Sequence, residues 1–186
     1  MAERWNPLLI NTDDNKYKHL VLESTRKQIR NILKSYVGYY DPFCELLQNA
    51  MDATERQKLT IGENYNCHLT IVINLNENTI YVADNGIGFG EDEFKTFLSP
   101  NISYKSFGKT RGNKGVGTTY LAFGFYKLEV FTKTDNYVKY VSLNNGNNWV
   151  YDDAGKYTLP EVIEMEKIDI EFPYDRGSSF KVFLTD

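Results

Sequence analysis

The stretch Glu45-Leu46-Leu47-Gln48-Asn49-Ala50-Met51-Asp52-Ala53 decides how this chain is read. Glu45, Asn49 and Asp52 recur at i, i+4 and i+7, the interval that stacks side chains over successive turns of one helical face. A base, an amide and a second carboxylate can then address one small volume, as a nucleotide site requires. Leu46, Leu47 and Ala50 can turn the other way and anchor the helix in a core. Taken alone, the run fits equally an amphipathic helix with a solvated polar face, so its surroundings must decide.

Upstream, Asp41-Pro42 opens this helix, since proline suits a first helical turn, and the helix is expected to end near Lys58, before the turn Gly62-Glu63-Asn64. A preceding helix is read from Ile29, Ile32, Leu33, Tyr36 and Val37, with Ser24 or Thr25 as N-cap and Gly38 as stop. Residues 1–22 read as an irregular polar arm or strap, and Asn11 to Asn15 as a loop.

Downstream, Leu69, Ile71 and Ile73 alternate with Thr70, Val72 and Asn74. Asn76-Glu77-Asn78 turns the chain, and Thr79 to Ala83 returns as a second strand. A short helix over 91–99 is stopped by Pro100. Residues 101–117 are basic and glycine-bearing, read as a long lid or binding loop, and a helix follows from Thr118 to Phe125. Further strands are expected at 127–132, 137–143, 168–172 and 179–184, with Asn144-Asn145-Gly146-Asn147-Asn148 as a turn. Helices, then strands, then a lid and more strands predict an α+β two-layer sandwich with helices on one face of a mixed sheet.

Two further motifs carry chemistry. Asp84-Asn85-Gly86-Ile87-Gly88-Phe89-Gly90 follows a strand and is too glycine-dense for a simple hairpin turn. Glycines allow close backbone approach to a ligand, and a carboxylate at the strand end accepts hydrogen bonds from an exocyclic amine such as that of adenine. Gly112-Asn113-Lys114-Gly115-Val116-Gly117-Thr118-Thr119 joins a glycine-rich loop to a helix start, where backbone N–H groups face an anion. The run Ser103 to Thr110 is not a P-loop, because serine stands where the first glycine is required. No Gly-x-Gly-x-x-Gly occurs in a βαβ context.

The remaining composition sets bounds. At 186 residues the chain is long enough for one filled core and short for two. A net charge of −4 gives no general pull toward nucleic acid or an anionic membrane. No apolar run reaches the roughly 20 residues of a membrane span, and a cytoplasmic location without membrane contact is expected. Cys44 and Cys67, in no metal-ligand spacing, read as reduced structural thiols. The 14 tyrosines read mostly as strand and core-rim residues.

In this order the motifs resemble those of the GHKL ATPase superfamily: gyrase, heat-shock chaperone ATPases of the Bergerat fold, histidine kinases, MutL and MORC proteins. The resemblance covers about residues 24–184. Glu45 to Ala53 resembles the N box, Asp84 to Gly88 the adenine box and Gly112 to Thr118 the lid-end phosphate box. Gly177-Ser178-Ser179-Phe180-Lys181-Val182 resembles the closing strand motif.

The resemblance implies a Bergerat fold, its mixed sheet mostly antiparallel, that binds ATP or ADP with Mg²⁺. It implies Glu45 as general base, Asn49 as metal ligand, and Asp84, with Gly86, Ile87 and Gly88, as the adenine contact. Asp52 and Ala53 would support the pocket, and Ser178 or Ser179 would help hold the base. Gly112, Asn113, Lys114, Gly115, Val116, Gly117 and Thr118 would surround the phosphates, with Lys114 the first candidate for direct contact and Lys105 the second.

Histidine kinases of the superfamily typically carry asparagine where this chain has Glu45, and they need an upstream phosphoacceptor histidine. His19, in the polar arm, lacks a dimerisation-helix context, which favours hydrolysis over kinase activity. The expected organisation is an arm or dimerisation strap (1–22) and an ATPase domain (23–186) excised from a longer protein. In the full protein, ATP would close the lid and drive a homodimer, a downstream domain would supply a basic phosphate contact, and a DNA or protein client would engage absent regions. A slow ATPase is expected; the alternative is a nucleotide-sensing module with little turnover.

Overall fold

A computed structural model describes residues 15–100, 116–166 and 171–185. Among the described residues, six strands form one sheet: β1 (Leu69–Asn74), β2 (Thr79–Asp84), β3 (Lys127–Lys133), β4 (Val138–Asn144), β5 (Val162–Glu164) and β6 (Gly177–Phe183). Their order is β1-β2-β6-β3-β4-β5, and every neighbouring pair is antiparallel. Five helices accompany them: α1 (Asn15–Ser35), α2 (Asp41–Ile61), α3 (Glu91–Thr96), α4 (Val116–Phe123) and α5 (Gly146–Tyr151). This is the α+β architecture expected, and the sheet, expected to be mostly antiparallel, is antiparallel at every described pairing.

Strand alternation builds the core. Ile80 and Val82 on β2, Leu128 and Val130 on β3, Val141 and Leu143 on β4, and Phe180 and Val182 on β6 share a cluster with Leu46 and Ala50 of α2, Ile29 of α1 and Leu121 of α4. Because successive side chains in a strand point to opposite faces, one helical layer can bury all four strands. The β1–β2 turn is closed by Asn74 Oδ1, which accepts from the N–H groups of Asn76 and Glu77, with Asn78 at φ 51°. The edge strand β1 leaves Ile71, Val72 and Ile73 exposed.

Helix α2 starts at Asp41 with Pro42 in its first turn and ends where Gly62, at φ 97°, donates its N–H to the Lys58 carbonyl at 2.8 Å. It therefore runs three residues beyond the expected end at Lys58. Helix α1 begins at Asn15, so residues 15–22 are helical rather than irregular, and neither Ser24 nor Thr25 is its N-cap. The polar face of residues 15–22 hid the helix, whose hold on the fold comes later along its length. There Arg26 and Arg30 donate to the carbonyls of Asp152 and Val150, and Arg26 lies over the Trp149 ring.

Three other expectations are corrected. Asn145 takes the left-handed conformation at φ 59° and leads into α5, so Asn144 to Asn148 is a helix entry and not a simple turn. No strand includes residues 171 and 172; 167–170 lie outside the described residues, and the edge pairing with β4 is made by Val162–Glu164. Cys44 and Cys67 are free but exposed, not packed inside. Among the described residues, no helix is long and apolar enough to cross a membrane.

Candidate functional site

Helix α2 places Leu46 and Ala50 in the core and turns Glu45 and Asn49 to an adjacent, half-buried flank, with Asp52 buried one turn on. Beside the C-terminal half of α2, β2 ends at Asp84 and the chain enters the glycine-rich box. The two meet backbone to backbone. The Ile87 N–H donates to the Ala53 carbonyl at 3.2 Å, and a Cβ added to Gly86 would lie 2.5 Å from the Ala53 carbonyl carbon. No larger residue fits at 86 without moving one of the two segments.

Asp84 is 2% exposed. Its Oδ2 accepts from Ser178 Oγ at 2.9 Å and its Oδ1 from the Gly86 N–H at 2.8 Å. Burial raises its carboxyl to about 7, against the pull of those donors. The proton-bound form thus favours the ligand-free fold. That contribution is complete below the ordinary carboxylate range and is lost as pH rises through about 7. Ser178 shares the inner face with Phe180 and Val182, while Ser179 points to the other face of β6. Of the two, Ser178 is the one whose hydroxyl touches Asp84.

Residues the sequence did not single out hold the rest of the box. Thr132 Oγ1 accepts from the Phe89 N–H at 2.8 Å, and Arg176, paired with Asp135, donates to the Ile87 carbonyl. The Tyr65 hydroxyl lies 2.7 Å from Asn85 Oδ1, which also accepts the His68 N–H. Phe89 packs into an aromatic group with Phe94, Phe97 and Phe180. Gly177, at φ 129°, lies so close to the Asp84 carbonyl that a Cβ there would be 1.9 Å from its oxygen.

At the other end of α2, Glu45 faces the first turn of α4. A Cβ on Gly117 would fall 1.9 Å from Glu45 Oε2. Glu45 Oε1 accepts from the Tyr36 hydroxyl at 2.8 Å. The amide nitrogen of Asn49 is buried and, among the described residues, has no hydrogen-bond partner, an exception to the pairing of buried polar groups. Val116, Gly117 and Thr118 belong to α4, so that helix starts two residues earlier than expected. Lys105, Gly112, Asn113, Lys114 and Gly115 lie outside the described residues. His19 sits on α1, exposed, rather than in an irregular arm.

Known proteins match the same region. Residues 42–171, more than half the chain, match the family described as histidine kinase-, DNA gyrase B-, and HSP90-like ATPase. Chaperone protein HtpG of Bacteroides thetaiotaomicron is 27% identical over 159 residues, covering 76% of this chain and 21% of that protein. HtpG of Azorhizobium caulinodans is 28% identical over 133 residues, covering 63% of this chain and 21% of that protein. For HtpG of Bacteroides fragilis the figures are 26% over 164 residues, 76% and 21%. The chain spans about a fifth of the length of these relatives. With α2, the Asp84 box and the Glu45 end matched as one region, the chain belongs to the histidine kinase-, DNA gyrase B- and HSP90-like ATPases, the ATP-binding GHKL superfamily.

Proposed function

We propose that this chain binds ATP with Mg²⁺ and hydrolyses it slowly, Asp84 recognising the adenine and Glu45 activating water. The observation that carries the reading is the arrangement along α2: its backbone at Ala53 touches the Asp84 box, and Glu45, eight residues earlier, faces Gly117. Eight residues of helix span about 12 Å, the length scale of a nucleoside triphosphate. The Asp84 carboxylate, with a donor already on each oxygen, retains lone pairs for an exocyclic amine. Glu45 is the side chain able to take a proton from water at the far end.

The donor set suits a lightly held magnesium ion. Among the described residues, no three His, Cys, Asp or Glu side chains gather to cage a metal. Magnesium keeps several waters and takes few protein ligands, so a single amide oxygen, that of the half-buried Asn49, fits that demand. When bound, the ion neutralises phosphate charge. Lys114 and Lys105 are assigned to the phosphates on sequence alone.

In the full protein, by the same proposal, nucleotide closes the lid and drives dimerisation through residues 1–22, a downstream basic residue completes the phosphate site, and the output is chaperone-like, DNA-directed or defensive. The HtpG relatives favour the chaperone-like branch. Calorimetric titration of the chain with Mg²⁺ and a non-hydrolysable ATP analogue tests the core reading. Saturable binding is expected, and none at millimolar nucleotide overturns it.

A further inference from the structure

We infer that Tyr36 is a positioning residue for hydrolysis, its hydroxyl fixing the carboxylate of Glu45. This rests on the ATPase reading above. Tyr36 follows the last residue of α1, where its N–H donates to the Leu33 carbonyl at 3.3 Å. Its ring stacks on Tyr120 of α4 with centroids 3.8 Å apart and planes 5° from parallel. Its hydroxyl reaches Glu45 Oε1 at 2.8 Å. The residue thus joins the end of α1, the base on α2 and the helix that opens at the glycine box.

A glutamate has three side-chain torsions, and a general base works only while its oxygen is held toward the proton it takes. Here each oxygen has a fixed neighbour. Oε1 accepts from Tyr36, and Oε2 lies over Gly117, where any side chain would displace it. With Oε1 engaged, Oε2 is the oxygen left for water, and it points at the start of α4. Burial first, and then the bond to Glu45, push the Tyr36 hydroxyl well above the ordinary phenol value. It therefore stays protonated, and a donor, across the neutral range. The stacked ring supplies rigidity that a lone hydroxyl would lack.

A role confined to tying α1 to α2 would reside in the stack, which Tyr36→Phe preserves while deleting only the hydroxyl. In the full chain, Tyr36→Phe is expected to lower kcat about tenfold while the ATP-analogue Kd stays within about twofold. Melting should change little. In a Glu45→Gln background the same substitution should change the residual rate by less than about twofold, because both act through one carboxylate. A wild-type or raised kcat, or an equal loss in the Glu45→Gln background, overturns the inference. If the wild-type chain turns over, Glu45→Gln slows it to a small residual rate and Tyr36→Phe has no effect, only the role of Tyr36 fails. If the wild-type chain does not turn over, the hydrolysis reading falls and takes this role with it.

Discussion

The two ends of α2 are built differently. At the Asp84 end, contact is made by backbone: Gly86 lies on the Ala53 peptide, Ile87 bonds to the Ala53 carbonyl, and Thr132 and Arg176 grip the backbone of Phe89 and Ile87. At the Glu45 end, contact is made by side chains: a tyrosine hydroxyl on one oxygen, a glycine under the other, and an asparagine amide nitrogen with no partner among the described residues. The fold itself completes the first end. The second is held by side-chain groups that can turn.

The sharpest way to break this contrast is to remove the base. Glu45→Ala should lower kcat by about 10²–10⁴-fold with little change in nucleotide Kd, read by steady-state turnover beside titration. Equal loss of binding would mean that the two ends are not separable.

Asp84→Asn should do the converse, weakening ATP and ADP alike by about 10–100-fold, the worth of a hydrogen bond to a charged group. It should also raise Tm at pH 8 by about 3 °C, since it removes a buried charge. That gain should shrink at pH 5.5, because burial already favours the protonated carboxyl below about 7. A melting advantage independent of pH would count against the buried charge as its cause.

The glycines sharpen the comparison further. Gly86→Ala sets a methyl against peptide backbone and should cost about 1–3 kcal/mol of stability, measured by denaturant unfolding. Gly117→Ala sets its methyl against the tip of the Glu45 side chain, which can swing away. It should leave unfolding nearly unchanged and slow turnover about tenfold. If Gly117→Ala unfolds the chain and Gly86→Ala does not, the contrast is reversed.

The smallest expected effect is on pH. An adenine amine favours the charged Asp84, so affinity should fall as pH drops through about 7, by at most about tenfold per unit. Titrations at pH 8 and 6 measure it, and a flat profile would remove Asp84 from the base contact.

Much of this was legible in the sequence because it rests on short periods. The i, i+4, i+7 spacing of Glu45, Asn49 and Asp52 and the alternation of β2, β3, β4 and β6 are local properties, and they carried the helical flank and the sheet. Alternation also separates the faces of Ser178 and Ser179, since only Ser178 has the parity of Phe180 and Val182.

What was missed depends on partners far along the chain. The first turns of α1 carry mostly exposed residues, and the helix is fastened by Arg26 and Arg30 to carbonyls more than a hundred residues away. Asn144 to Asn148 has turn composition, yet Asn145 in the left-handed region starts a helix with Trp149 and Val150 buried. Tyr36 looked like one more apolar position of α1, and only the fold brings its hydroxyl to Glu45. Residues 1–14 of the strap read at 1–22, and 101–115 of the lid, lie outside the described residues, so their assigned roles stand on the sequence.

The contact of one straight helix with both ends has a consequence for signalling. For a nucleotide seated as proposed, ATP and ADP are indistinguishable at Asp84, because the base and the peptide beneath it are the same. News of the third phosphate would be taken at the Glu45 end, where α2 and α4 meet at Gly117. There Tyr120 of α4 stacks on Tyr36 at the end of α1, so three helices share the place where the two nucleotides differ.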